Sequence, residues 1–135
     1  MDFKKVYNFD KEACEQGRWF PFRGAEVLVA RSNSKRYRDA VKRHRAAFQS
    51  IIDARVPLSD DQIEKMTIEV AADAVLLGWR GFEEDGVEVP YSRDNAVRLL
   101  TEHPEFRDDI ANIANSEDNF RIKAAEADAG NSPTS

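Results

Sequence analysis

Six cations fall between Lys35 and Arg45 in the run KRYRDAVKRHR, which a single acid, Asp39, interrupts. Lys35, Arg36, Arg38, Lys42, Arg43 and Arg45 could together grip phosphates, and Tyr37 could stack on a base. The same residues also describe a solvated helix face whose long aliphatic stems lie on apolar surface. Tyr37 favours the second reading. Its spacing with Val41, His44, Phe48 and Ile51 places it on an apolar helical stripe.

Other reactive residue types are sparse. His44 and His103 are the two histidines and Cys14 is the one cysteine, and no pair among them has the close spacing of metal ligands. Cys14 with His44 would make a nucleophile and a base without a third group to orient them. The acidic pairs Asp60-Asp61 and Asp108-Asp109 fall in or near first helical turns, where capping and the helix dipole account for them. The glycines stand singly, so nothing forms a phosphate-cradling loop. The sequence therefore gives no catalytic, cofactor-binding or metal-ligating residue, and a non-enzymatic protein is expected.

Composition sets the frame for those residues. The chain has 135 residues, 41% hydrophobic and 33% charged, with eight Phe and two Trp to fill a core. That is the size of one ordinary domain. One domain is expected over residues 1–123, followed by a flexible tail over 124–135, where AEADAGNSPTS is small and polar. A lone cysteine gives no internal disulfide, no apolar run is long enough to span a bilayer, and the first residues lack the apolar stretch of a signal peptide. A soluble cytosolic protein without membrane contact is expected. The charge is divided unevenly: residues 1–55 hold 13 basic and 7 acidic side chains (net +6), and residues 56–135 hold 7 and 18 (net −11). Such polarity favours head-to-tail association.

The periodicity predicts an α+β fold, mostly α, in which an N-terminal β-hairpin or small antiparallel sheet packs on a bundle of about five helices. Val6–Phe9 and Trp19–Phe22 read as extended, and Glu26–Ala30 follows a turn near Phe22–Gly24. Pro21 pushes its strand to an edge. Trp19, Phe20 and Phe22 on that edge, with Arg36, Arg38 and Arg43 on the basic helix, form the candidate partner or self-association surface. A helix is predicted from Lys35 to Ala54. A second begins at Ser59, turns Ile63, Met66, Val70, Ala74 and Leu77 inward, and ends at Gly78. Ser92 caps a third, Pro104 starts a fourth, and Ser116 caps a last one through Phe120 and Ile122.

The stretch LGWRGFEEDGVEVPYSRDNAVRLLTEHPEFRDDIANIANSEDNF, from Leu77 to Phe120, resembles the tail assembly chaperones of long-tailed, siphovirus-type bacteriophages. The matching pattern is a helix ending in Gly78-Trp79, an Asp85-Gly86 turn, and a helix start at Pro90, Tyr91 and Ser92. A Leu99-Leu100 pair, the proline-started helix at Pro104 and a distal aromatic, Phe120, complete it. It covers about a third of the chain, and each of these residues has a structural role only.

The resemblance implies a cytoplasmic protein of the infected host, absent from the mature virion, that coats the tape measure protein and helps recruit tail tube subunits. It further implies a homo-oligomer without cofactors, and a longer form made by ribosomal frameshifting near the end of the reading frame. Two other classes stay open. One is a phage or prophage regulator that binds nucleic acid through the basic helix 35–54, although nucleic acid is not the expected partner. The other is a monomeric protein-interaction adaptor.

Overall fold

Ser34, Ser59 and Ser92 start three helices by the same device. Each hydroxyl accepts a hydrogen bond from the backbone N–H three residues on, at Tyr37, Gln62 and Asn95. That satisfies a donor the first turn would leave free. At Ser59 the bond is reciprocated, since its own N–H donates to the Gln62 side chain at 2.8 Å. The computed structural model describes residues 1–123.

In chain order the elements are α1 (Phe3–Val6), α2 (Lys11–Gln16), β1 (Arg18–Phe22), β2 (Ala25–Val29), α3 (Lys35–Ala46), α4 (Gln49–Asp53) and α5 (Asp60–Ala74). They continue with β3 (Leu76–Arg80), β4 (Glu83–Glu84), β5 (Val87–Glu88), α6 (Arg93–Glu102), α7 (Pro104–Asn115) and a 3-10 turn over Glu117–Phe120. The architecture is the expected α+β one, with seven α-helices among the described residues rather than five. The predicted tail over 124–135 lies outside the described residues.

Strands β1, β2 and β3 form an antiparallel sheet in that order, with Trp19 opposite Leu28 and Val27 opposite Trp79. Pro21 sits on the edge strand as its missing N–H requires. Alternation sends Val27 and Val29 into a core shared with Ile68, Ala72, Leu99, Leu100 and Ile110, and a register shift in the β2–β3 pairing lets both Leu76 and Trp79 join them. Trp19, Leu28 and Gly78 face the other side. A second, smaller contact joins α3 to α5 through Ala40, Val70 and Ala74.

Four predicted elements come out differently. Val6–Phe9 is not a strand, because the Asp2 and Asp10 carboxylates cap α1 and α2 around it. Only Phe9 makes an isolated bridge, to Arg121. The predicted helix from Lys35 to Ala54 divides into α3 and α4. The Ala47 and Phe48 N–H groups donate three residues back, to His44 and Arg45, and so tighten the chain out of the α-helix. The central helix stops at Ala74, not at Gly78. Leu76–Arg80 instead joins the free edge of β2, where Ala30 N–H donates to the Val75 carbonyl at 2.9 Å. Gly78 therefore lies within a strand, and Ile63 is 45% exposed rather than inward-facing. Last, the segment after Ser116 is a 3-10 turn without a side-chain cap, and Ile122 lies beyond it.

Gly17 makes the tight passage from α2 into β1 possible. It has φ 87° and ψ 166°, a region open essentially to glycine alone. An added Cβ would also lie 3.2 Å from the Val29 carbonyl carbon. Gly17→Ala is expected to lose roughly 2 kcal/mol of stability by urea denaturation. An unchanged midpoint would show that this passage carries no strain.

Candidate functional site

Helix α3 carries the densest charge, and the structure divides its cations into two sets. Arg36 donates through Nε to the Asp73 carbonyl at 3.1 Å, and its backbone N–H donates to the Glu15 carboxylate. Arg38 donates to the Asn33 carbonyl at 3.0 Å, and Arg43 pairs with Asp73 at 3.6 Å. These three predicted surface residues thus also bind their own fold. Lys42 and Arg45 are exposed and have no carboxylate partner among the described residues. Sequence reasoning could not separate them from their neighbours, because the division depends on which carbonyls and carboxylates the fold brings beside α3.

Behind the basic face lies a polar cluster that ties α3, α5 and α6 together. His44 Nδ1 lies 3.0 Å from Glu69 and its Nε2 lies 2.5 Å from Asp73, so both ring nitrogens face carboxylates of α5. Arg93 at the start of α6 reaches the same Asp73 at 2.5 Å. Burial pushes the Asp73 carboxyl up, but the hydrogen bonds from Arg93 and His44 outweigh it and hold it below the usual carboxylate range. His44 is thus held by Glu69 and Asp73. Cys14 packs elsewhere, against Ala13, Phe9, Phe20 and Phe120. Burial pushes its thiol up, away from the reactive thiolate. The structure does not bring the pair together.

The sheet edge holds the other predicted surface residues. Trp19 is 39% exposed and lies under the Arg80 guanidinium, 3.7 Å from the ring centre. Phe20 and Phe22 point to the opposite face. Phe20 meets Phe120 edge-on at 5.9 Å, and Phe22 meets Phe106 edge-on at 5.7 Å. Of the three aromatics, only Trp19 is presented outward.

One group of possible metal ligands occurs among the described residues: Glu84, Glu102 and His103, whose ligand atoms lie within 4.8 Å of one another. The Arg98 guanidinium already bonds both carboxylates, at 2.7 Å to Glu84 and 3.3 Å to Glu102. A fixed cation in that position opposes a second one. Among the described residues, no helix is long and apolar enough to cross a membrane.

The stretch from Gly78 to Phe120 divides between two cores: Trp79, Val89, Leu99 and Leu100 join the main one with β2 and α5, and Phe120 a smaller one with Ala13 and Cys14. An added Cβ on Gly78 would meet the Trp19 ring at 3.5 Å, so its small size fits that aromatic over the sheet. Trp79 donates Nε1–H to the Val89 carbonyl at 2.7 Å, stacks on Phe82 and meets Tyr91 edge-on, both at 4.9 Å. Asp85 and Gly86, both at positive φ, make the β4–β5 turn. The Pro90 carbonyl accepts from Asn95, and the Tyr91 hydroxyl donates to the Leu76 carbonyl at 2.9 Å. Leu99, Leu100 and Phe120 are buried, and Pro104 opens α7.

A family described as YdaY prophage protein matches residues 32–131. The chain belongs to that family. The match spans the basic helix, the α3–α5–α6 polar cluster and the stretch from Gly78 to Phe120. The comparisons with curated proteins and with solved structures returned no match.

Proposed function

We propose that this prophage-family protein is a non-enzymatic tail assembly chaperone of the host cytoplasm. On this reading it oligomerises, coats the tape measure protein to keep it soluble, and helps recruit tail tube subunits. The observation that carries the reading lies in the Gly78–Phe120 stretch. The residues that resemble the chaperone pattern lie inside the stretch that matches the prophage family, and two of them, Trp79 and Tyr91, pack edge-on against each other in the main core. The rest of the molecule supports it through surface: a basic helix, an outward Trp19 on a free sheet edge, and opposed charge in the two halves of the chain. Coating a long helical protein needs such adhesive faces in many copies and no catalytic pocket.

Expression from the native gene with an N-terminal tag tests the frameshift that the resemblance implies. A minor, longer second product is expected, and silent recoding of the last codons removes it. A single product would deprive the longer form of support.

Lys42 and Arg45 favour a second reading, because free cations on one helix face are the footprint of phosphate binding. On the chaperone reading the protein elutes from duplex DNA at or below about 0.15 M salt, as a non-specific contact does. Retention at higher salt that Lys42→Ala/Arg45→Ala abolishes would favour the regulator.

A further inference from the structure

At one end of β1 the molecule carries an exposed aromatic knob, and at the other an aromatic cleft with an acidic rim. We infer that the knob of one copy docks in the cleft of the next, joining chains head to tail. The knob is α1 with Tyr7. Phe3 is 67% exposed, Tyr7 is 53% exposed, and their rings lie 5.6 Å apart. Lys4 and Lys5 beside them are exposed, with no carboxylate partner among the described residues. Tyr7 also meets the Phe9 ring at 6.5 Å, yet both Phe3 and Tyr7 stay more than half exposed beside the two lysines, an apolar patch that a partner would cover.

The cleft has a volume of about 290 Å³ and is walled by Phe22, Phe82, Phe106 and Leu99. A cavity on the order of 150 Å³ already accepts a benzene ring, so there is room for one aromatic side chain. Glu83 and Glu84 stand at its rim together with Arg23, whose guanidinium pairs with Asp109. Arg98 neutralises Glu84, but Glu83 stands directly opposite Glu88 across the β4–β5 pair, and neither meets a cation among the described residues. Like charges in opposed positions disfavour each other, and cations from outside would relieve them. The lysines beside the knob supply that charge.

The two features cannot meet within one molecule. Arg18, at the start of β1, donates to the Asn119 and Arg121 carbonyls, where Phe9 bridges Arg121 and holds α1 nearby. Phe22, at the far end of β1, lines the cleft roughly 13 Å away along the strand. Knob into cleft is therefore a heterologous contact, which repeats from copy to copy and builds a ring or an open spiral. It rests on the chaperone reading for its purpose, since coating a long protein requires many copies.

Two variants test the contact by light scattering at low salt. Phe3→Ser/Tyr7→Ser removes the knob, and Glu83→Lys/Glu88→Lys reverses the rim; all four residues are exposed, so thermal melts should match wild type. Lys4→Glu/Lys5→Glu is a second knob variant that keeps the aromatics. Wild type should gain mass with concentration, whereas each variant stays near 15.4 kDa with self-affinity lowered about thirtyfold or more. An equimolar mixture of the Phe3/Tyr7 and Glu83/Glu88 variants should give a two-chain species, because one intact knob meets one intact cleft. Monomeric wild type, or variants that assemble like wild type, overturns the contact. A monomer that still keeps the tape measure protein soluble would sink the contact and leave the chaperone reading standing; assembly with no effect on that protein would do the reverse.

Discussion

Trp79→Ala should cost about 3–5 kcal/mol, the range for removing a buried tryptophan. The ring is 6% exposed, stacks on Phe82 and meets Tyr91 edge-on, so no neighbour can collapse into the space without losing its own contacts. The Val89 carbonyl would also lose the indole donor at 2.7 Å inside a buried segment. Against a total stability of roughly 5–15 kcal/mol for a domain, that is a large share. Urea denaturation followed by circular dichroism measures it. Trp79→Phe, which keeps most of the apolar area and forfeits the hydrogen bond, should lose about 1–3 kcal/mol. If both variants unfold at the wild-type midpoint, Trp79 does not organise the core around it.

The second large effect is at Asp73. Its carboxylate accepts from His44 and Arg93 and pairs with Arg43, and its own side chain is 16% exposed. Asp73→Asn leaves Arg43 and Arg93 without their shared counter-charge, which in buried settings costs about 3–5 kcal/mol. Arg93 and Arg43 reach solvent, so water recovers part of that and about 2–3 kcal/mol is expected. The pH dependence has a definite sign. A carboxyl held below its ordinary 3.8 stabilises the fold fully above that value and loses its contribution as pH falls through the lowered native value. Asp10 acts in the same direction, held down chiefly by the Ala13 N–H, against burial and with help from Arg18. Wild type should therefore lose stability in acid below about pH 4. Asp73→Asn should be less stable at neutral pH and lose less on acidification. An unchanged acid slope would show that Asp73 is not linked to folding.

What the residues announced, and what they did not, follows from the range of the forces involved. Caps at Ser59 and Ser92, the Asp85-Gly86 turn, Pro104 at a helix start and the hairpin turning near Phe22–Gly24 are all local, and each forms where expected. One misread boundary depends on a partner distant in sequence, and another on local caps that outweigh strand propensity. Leu76–Arg80 is apolar enough to continue α5, and becomes a strand because β2 offers it an edge. Val6–Phe9 has strand-forming residues, yet α1 and α2 take the surrounding chain because Asp2 and Asp10 cap them. Which of the candidate surface residues reach solvent was not legible in the sequence. The aromatics of β1 alternate, so Trp19 is presented outward while Phe20 and Phe22 serve the interior. Arg36, Arg38 and Arg43 bind their own fold, whereas Lys42 and Arg45 have no carboxylate partner among the described residues. Exposed Phe3 and Tyr7 gave no sequence signal, because an unpaired aromatic reads the same as a buried one until the fold places it.

The central claim is that this chain keeps the tape measure protein soluble, and co-expression tests it most directly. The tape measure protein encoded in the same prophage is produced with and without this chain, and its soluble fraction is measured after centrifugation. The chaperone account predicts that it is largely insoluble alone, becomes soluble with this chain, and co-purifies with it in many copies per tape measure molecule. A tape measure protein whose solubility is the same in both cases, and which does not co-purify, would contradict it.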